Sequence, residues 1–366
     1  MVGLGAAGSA ALYHLACRGI RVIGIDRFTP PHINGSTHGG SRIIRKAYFE
    51  GAEYLPLLAR AYELWAILEE ETAQQLITRC GCLNIAPAGS PMLAGAHQSA
   101  EAAGVEVVFM TPGVVRRTFP AYHLRGHEIA LFEPDAGAIH PERSVTAHLS
   151  QAQARGATVL FDAPVLSWSA LADAVAVRTA SHTIQAARMV VTAGAWIATL
   201  LKGSSPPVKV ERVMNAWFTT AGSAFRPDRC PTFIWEHKKT HSYGFPDLGQ
   251  GVKAGIHHHG AVTDCPSGID RTVSAAETRS LHTLLVKLFP GGLGPSTHAA
   301  TCMYTNTSDR HYLIDYLGGA DRRVVVGSAC SGHGFKASAA VGEALADLAM
   351  DRTPRSDIDT FRWRWP

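Results

Sequence analysis

Gly3-Leu4-Gly5-Ala6-Ala7-Gly8 is the stretch on which the reading of the fold turns. Behind it Ala11, Leu12, Leu15 and Ala16 recur at the spacing of one helix face, and Gly19 ends the run. Arg21 to Asp26 then reads as a strand. In this order the first two glycines let the backbone turn tightly against a pyrophosphate, and Gly8 lets helix pack on strand. Asp26 follows Gly8 by 18 positions, near the roughly 20 expected of a carboxylate that accepts from a ribose hydroxyl. Turn, helix, strand and terminal Asp together predict a dinucleotide-binding α/β layer. Only Met1 and Val2 precede Gly3, where a central strand buried on both faces is expected. The reading is a chain shortened at its start, with its first strand missing; a residual strand is the alternative.

Outward from that motif, Leu57, Ala61, Leu64, Trp65 and Leu68 mark an amphipathic helix, and Pro141 starts another that runs to Gly156. Strands are predicted at Thr158 to Phe161, Arg188 to Thr192 and Val324 to Gly327, and a last helix runs through Ala337, Val341, Leu345 and Leu348. Between these pieces lie two stretches richer in Pro, Thr and aromatic residues. The expected class is α/β: a discontinuous Rossmann-like domain over 1–78, 137–207 and 303–366. An α+β substrate domain with a mostly antiparallel sheet is expected over 79–136 and 208–302.

Composition narrows the function. At 366 residues, two domains are expected. Hydrophobic residues are 46% and charged residues 17% of the chain, which argues against disorder. A formal charge of +4, scattered along the chain, excludes the clustered basic surface that nucleic acid requires. No apolar run reaches membrane length and no basic-then-apolar leader is present, so a cytoplasmic protein is expected. The seven cysteines include no CxxC pair, and Cys80-Gly81-Cys82 has the wrong spacing for common metal sites; no metal is expected.

Three further stretches carry chemistry. His38-Gly39-Gly40-Ser41-Arg42-Ile43-Ile44-Arg45 sets two arginines three apart, which predicts one side of a turn or helix. A guanidinium suits a carboxylate; the alternative is a solvated basic face. Tyr243-Gly244-Phe245-Pro246 and Val252-Lys253-Ala254-Gly255-Ile256-His257 predict a hairpin with Lys253 and His257 on one face and Tyr243 beside them. Taken alone, the pair also fits an edge lysine and an ordinary histidine. Alternating faces divide His257-His258-His259, against a metal site. Finally, Thr301-Cys302-Met303-Tyr304-Thr305 precedes Ser331-Gly332-His333-Gly334-Phe335-Lys336 at a helix start. A lone cysteine and a Gly-rich turn suggest a cofactor held at edge and head, although an inert cysteine and a surface lysine are the commoner fates.

These segments resemble the monomeric sarcosine oxidase and N-methyltryptophan oxidase group of the glycine/D-amino-acid oxidase flavoproteins. The resemblance runs nearly end to end, through the Gly-rich turn, Asp26, Pro30-Pro31-His32, His38-Gly39, Arg42 to Tyr48, Tyr243 to Pro246, Lys253, Cys302 to Thr305 and Ser331 to Lys336. It implies FAD held by Gly3, Gly5, Gly8, Asp26, Ser36, Ser41, Arg42, Met303, Gly332, His333, Gly334 and Lys336. It also implies a thioether from Cys302 to the flavin 8α-methyl, with Arg42 and His38 stabilising negative charge on the ring. Arg45 and Lys336 would clamp the substrate carboxylate, with Tyr304, Tyr243 and His257 lining the pocket. Lys253 would be the oxygen-activating cation, an electrostatic role. The implied reaction converts an N-methyl amino acid and O2 to the demethylated amino acid, formaldehyde and hydrogen peroxide, on a monomer without nucleic-acid or membrane partners.

Two departures from that group bear on substrate. Gly40 stands where its sarcosine oxidases usually have Asp, and the Tyr243 to Lys253 hairpin is one residue shorter. Cyclic imino acids such as proline or pipecolate therefore stay open. An NAD-linked dehydrogenase would explain the N-terminal motif but leave Cys302 and the last turn without roles. A degenerate, non-catalytic flavin-binding protein is the reading of another class.

Overall fold

In the computed structural model, which describes every residue except 202, 205, 239, 319, 320 and 366, the Gly-rich turn opens the helix Ala6–Cys17 and leads to the strand Ile23–Ile25. That strand pairs in parallel with Thr158–Leu160. Met189–Val191 pairs in parallel with Asp321–Ser328, which runs antiparallel to Leu313–Leu317. Val2 joins the two halves, bridging both Ile25 and Val191. Its N–H donates to Val190 O at 2.8 Å, its carbonyl accepts from Thr192 at 2.8 Å, and Gly3 N donates to Ile25 O at 2.8 Å. Met1 shares in this pairing, its carbonyl accepting from Ile25 N at 2.9 Å and its amine donating to Ile23 O at 2.8 Å, so Met1 and Val2 together satisfy the facing backbone groups next to the turn where the strand was expected to be missing.

Val324, Val325 and Val326 are wholly buried, as an apolar run in a central strand covered on both faces should be. The helices Ala6–Cys17, Leu55–Thr72, Pro141–Ala154 and Ser338–Ala349 share a core on one side. On the other side Val175 and Val177, from a small antiparallel sheet, pack with Val2, Ile25 and Val191. None of the described helices is long and apolar enough to cross a membrane.

The second layer is a nine-stranded sheet. It is antiparallel except where Thr232–His237 runs parallel to Cys82–Pro87. Its longest pairing joins Val208–Thr220 to Leu293–Thr307, so residues 303–307 belong to this sheet and the strand runs across the boundary expected at 302. One face carries Ala216, Phe218, Phe233, Trp235, Val252 and Ala254 into a core beneath the helix Ala275–Leu285. Alternation turns Asn215, Val213, Tyr243, Lys253 and His257 to the opposite face.

Between the layers, Arg42–Ile44 pairs with Gly137–Ile139, which pairs with Ile77–Arg79. This corrects the expected turn or helix at Arg42 to Arg45. In a strand, positions three apart face opposite ways, so the two guanidiniums reach different partners.

Helix packing leaves no room for a side chain where Gly342 meets the first helix: a Cβ there would lie 2.4 Å from the Ala10 Cβ. Gly342→Val is expected to cost about 1–3 kcal/mol by overpacking, read as an earlier midpoint in chemical denaturation.

Candidate functional site

A cavity of about 650 Å³ separates the layers, and the inner face of the large sheet is its floor. Register sets the order of that floor: Glu211 opposes Tyr304, Val213 opposes Cys302, Asn215 opposes Gly255 and Ala300, and Trp217 opposes Lys253 and His298. In the next pairing Tyr243 opposes Gly255 and His241 opposes His257. Because Gly255 has no side chain, the Tyr243 ring lies over that strand and its hydroxyl reaches Asn215 Oδ1 at 2.9 Å. A Cβ on Gly255 would stand 2.8 Å from the Tyr243 hydroxyl.

At one end of the cavity the Gly-rich turn is closed behind and open in front. A Cβ at Gly3, where φ is +91°, would meet Thr192 O at 2.4 Å, and one at Gly8 would meet Gly3 O at 1.9 Å. At Gly5 an added Cβ would meet only Thr37 Oγ1, at 3.6 Å. Asp26 is buried, its carboxylate accepting from Leu4 N at 2.7 Å and Phe28 N at 2.9 Å. It braces the turn, and each oxygen keeps a lone pair for a hydroxyl. A turn open to the cavity at a helix start, with a carboxylate beside it, fits a dinucleotide such as FAD.

Toward the middle lies Cys302, 4% exposed. Arg42 Nη2 is 3.6 Å from its sulfur and donates to Ser36 O at 2.7 Å, while Nη1 donates to Ser41 O at 2.7 Å. Burial, the largest influence, works against the Arg42 charge, but Cys302, Tyr243, Glu142 and Tyr304 together outweigh it, and the guanidinium is held more firmly protonated than usual. Met303, Gly332, His333 and Gly334 also line the cavity. Lys253 and His38 lie behind the Arg42 loop rather than on the cavity wall. Lys253 Nζ donates to Gly39 O at 2.8 Å and Ser41 O at 2.9 Å, and burial pulls its pKa well below the ordinary value. His38, with Nε2 buried and unpartnered among the described residues, is pushed down to about 4 by burial and by Arg42.

At the far end lie Arg45 and Lys336, the pair expected from the sequence to face a carboxylate. Arg45 is 1% exposed and sandwiched by Tyr48 and Phe49, its Nη1 donating to Ala47 O and its Nη2 to Glu50 at 2.7 Å. Burial alone would raise Glu50, yet Arg45 and Lys336 hold it down at about 2. Lys336, on the short 3-10 turn Phe335–Ala337, donates to His333 O at 2.6 Å. Burial first, then Arg45, lowers its pKa to about 7, against the pull of Glu50. Tyr304 completes the wall, its hydroxyl 3.1 Å from His257 Nδ1. Burial drives His257 well below the ordinary histidine value, so the ring is neutral.

Several site residues escaped the sequence reading. Glu50 was signalled by a carboxylate five positions beyond a buried arginine. Asn215, Ile234 and His241 line the cavity through strand register, and no local motif marks them. Glu142 reaches Gly40 N at 3.0 Å from the helix Pro141–Ala154.

Comparison with known proteins places this arrangement. Residues 1–348 match the family model described as FAD dependent oxidoreductase. A "monomeric sarcosine oxidase" of Streptomyces avermitilis is 38% identical, over 99% of this chain and 95% of its own. An "N-methyl-L-tryptophan oxidase" of Salmonella typhi is 32% identical, over 99% and 97%. Among solved structures, NikD, titled an unusual amino acid oxidase essential for nikkomycin biosynthesis, superposes with a TM-score of 0.87 at 23% identity, covering 99% of this chain and 95% of NikD. An L-proline dehydrogenase from P. horikoshii gives 0.85 at 21%, with the same coverage.

Proposed function

The chain belongs to the FAD-dependent oxidoreductase family, and from that premise we propose that it is an oxidase of secondary amino acids. Sarcosine and other N-methyl amino acids would be its substrates, and the demethylated amino acid, formaldehyde and hydrogen peroxide its products. The observation that carries this reading is the convergence on one cavity of two buried cations, Arg45 and Lys336, with Tyr243, His257 and Tyr304, next to Cys302 and the Gly-rich turn. The printed names of the curated relatives support it.

Bound FAD supplies a two-electron acceptor that molecular oxygen regenerates. The turn at Gly3 to Gly8, Asp26, Ser36, Ser41, Arg42, Met303 and the Gly332 to Gly334 turn would hold it, and Cys302 would anchor it through a thioether. Arg45 and Lys336 grip the substrate carboxylate and orient the amine, which replaces a random encounter by a positioned one. Lys253, fixed by two carbonyls, provides the cation for oxygen reduction. His257, neutral by burial, adds no competing charge beside the amine. We place the enzyme in the cytoplasm as a monomer, the latter in keeping with the relatives' name.

Acid precipitation of the purified yellow protein tests the anchor. Colour is expected in the pellet of the wild type and in the supernatant for Cys302→Ala; colour in the supernatant for both would refute covalent attachment. A peroxide assay against sarcosine and longer N-methyl amino acids tests the reaction itself.

The clamp also has a pH signature. Lys336 is charged below its pKa of about 7 and neutral above it, so affinity for an unreactive carboxylate is expected to be highest below pH 7 and to weaken above. His257 and His333, both pushed down by burial, stay neutral across that window. Calorimetric titration between pH 6 and 9 should lose this slope in Lys336→Met; an unchanged slope would remove Lys336 from the clamp.

A further inference from the structure

We infer that Glu133 and Ser99, neither of them lining the cavity, are positioning residues that set the Arg45 guanidinium for a substrate carboxylate. The inference rests on the carboxylate clamp of the proposed function and adds to it the two side chains that hold the clamp in place.

The three residues after Arg45 donate their backbone N–H groups to side chains far off in sequence. Lys46 N donates to Glu133 Oε1 at 2.8 Å and Ala47 N to Glu133 Oε2 at 2.9 Å, while Tyr48 N donates to Ser99 Oγ at 2.6 Å. Glu133 ends the strand Glu128–Glu133, Ser99 lies on the helix Pro91–Ala102, and both side chains are buried. The Ser99 hydroxyl spends its own proton on Ala96 O at 2.9 Å, which turns its lone pairs to Tyr48. A buried carboxylate is costly unless bonded. Burial pushes the Glu133 pKa up, and the two amides first, then Arg45 and Lys46, oppose the rise.

These bonds reach Arg45 through one peptide unit. The Ala47 carbonyl and the Tyr48 N–H share a plane, and that carbonyl accepts from Arg45 Nη1 at 2.5 Å. With Nε unpartnered among the described residues, the other polar anchor of the guanidinium is Glu50, at 2.7 Å. Glu50 is partly exposed whereas Ala47 is wholly buried, so the Ala47 carbonyl is the fixed point of the two. Rotating that plane would take the carbonyl from Arg45 and the N–H from Ser99 together, leaving two buried groups unpaired. The same stretch carries Tyr48, whose ring centre lies 4.6 Å from the Arg45 guanidinium and whose hydroxyl accepts from Lys336 Nζ at 3.4 Å. Both cations of the clamp thus lean on a segment that Glu133 and Ser99 tie down.

Calorimetry on the FAD-loaded protein compares two unreactive ligands of one shape, pyrrole-2-carboxylate and the neutral pyrrole-2-carboxamide. The wild type should bind the carboxylate more tightly by roughly tenfold, since hydrogen bonds to a charged group outweigh neutral ones. Glu133→Gln keeps the size of the side chain but sets an NH2 group against one of the two N–H donors. The ratio of the two Kd values should then fall toward one through weaker binding of the carboxylate, with the carboxamide nearly unaffected. Ser99→Ala deletes a single acceptor, should lower the ratio in the same direction, and decides the matter if Glu133→Gln does not fold. A ratio left unchanged in the deciding variant, whether both affinities hold or both fall by one factor, would show a structural role only and overturn the inference while the clamp stands. Equal affinities in the wild type, or binding of neither ligand, would overturn the clamp and the inference with it.

Discussion

Everything in the site hangs on the register between Val208–Thr220 and Leu293–Thr307. Because side chains alternate, a slip of one residue would carry Asn215, Val213 and Glu211 into the apolar core and leave Met214 and Ala216 on the cavity floor. Register is held by burial: Ala216 and Phe218 lie under the helix Ala275–Leu285, whose Ser274 cap and Glu277 form a reciprocal pair of hydrogen bonds. The core on one face thus specifies the chemistry on the other.

Four cations, Arg42, Arg45, Lys253 and Lys336, are buried around one cavity, and a charge taken from water is costly unless compensated. The compensation is uneven. Arg45 has a carboxylate, Arg42 has two carbonyls and a sulfur, and Lys253 and Lys336 have carbonyl oxygens. The lysines, lacking an acidic partner in contact, are the groups whose pKa falls, while the arginines stay charged. A cavity built this way accepts an anion readily, since an arriving carboxylate repays part of the desolvation already spent on its walls.

Legibility in the sequence followed contact distance along the chain. The turn at Gly3 to Gly8, the Tyr243 to His257 hairpin and the Gly332 to Lys336 turn are local, and their periodicities place them. Arg42 and Arg45 were assigned to a helix-like side because spacing alone does not distinguish three along a turn from three along a strand; pairing with Gly137–Ile139 decides it. A residual strand at Val2 is only the second reading of the sequence, since its pairing lies in Ile25 and Val191, far off in sequence. Asn215 was invisible for a similar reason: an asparagine among Met214, Ala216 and Trp217 looks like an interruption of a core strand until Tyr243 is brought over Gly255.

Gly40 is tied into the fold through its backbone rather than a side chain. Its φ of +78° suits glycine, and its amide N–H meets both oxygens of Glu142, at 3.0 and 3.2 Å. His140, one position before that helix, bonds the Gly40 carbonyl at 3.0 Å through Nδ1. A carboxylate thus reaches position 40 across space, from the first turn of Pro141–Ala154. Its charge favours the protonated forms of Arg42, His38 and Lys253. Glu142 stands on a helix packed into the core, so the loop carrying Ser41 and Arg42 is tied down by its backbone. The loop is then held from two layers, by Glu142 from a helix at Gly40 and by Lys253 from the sheet at Gly39 and Ser41.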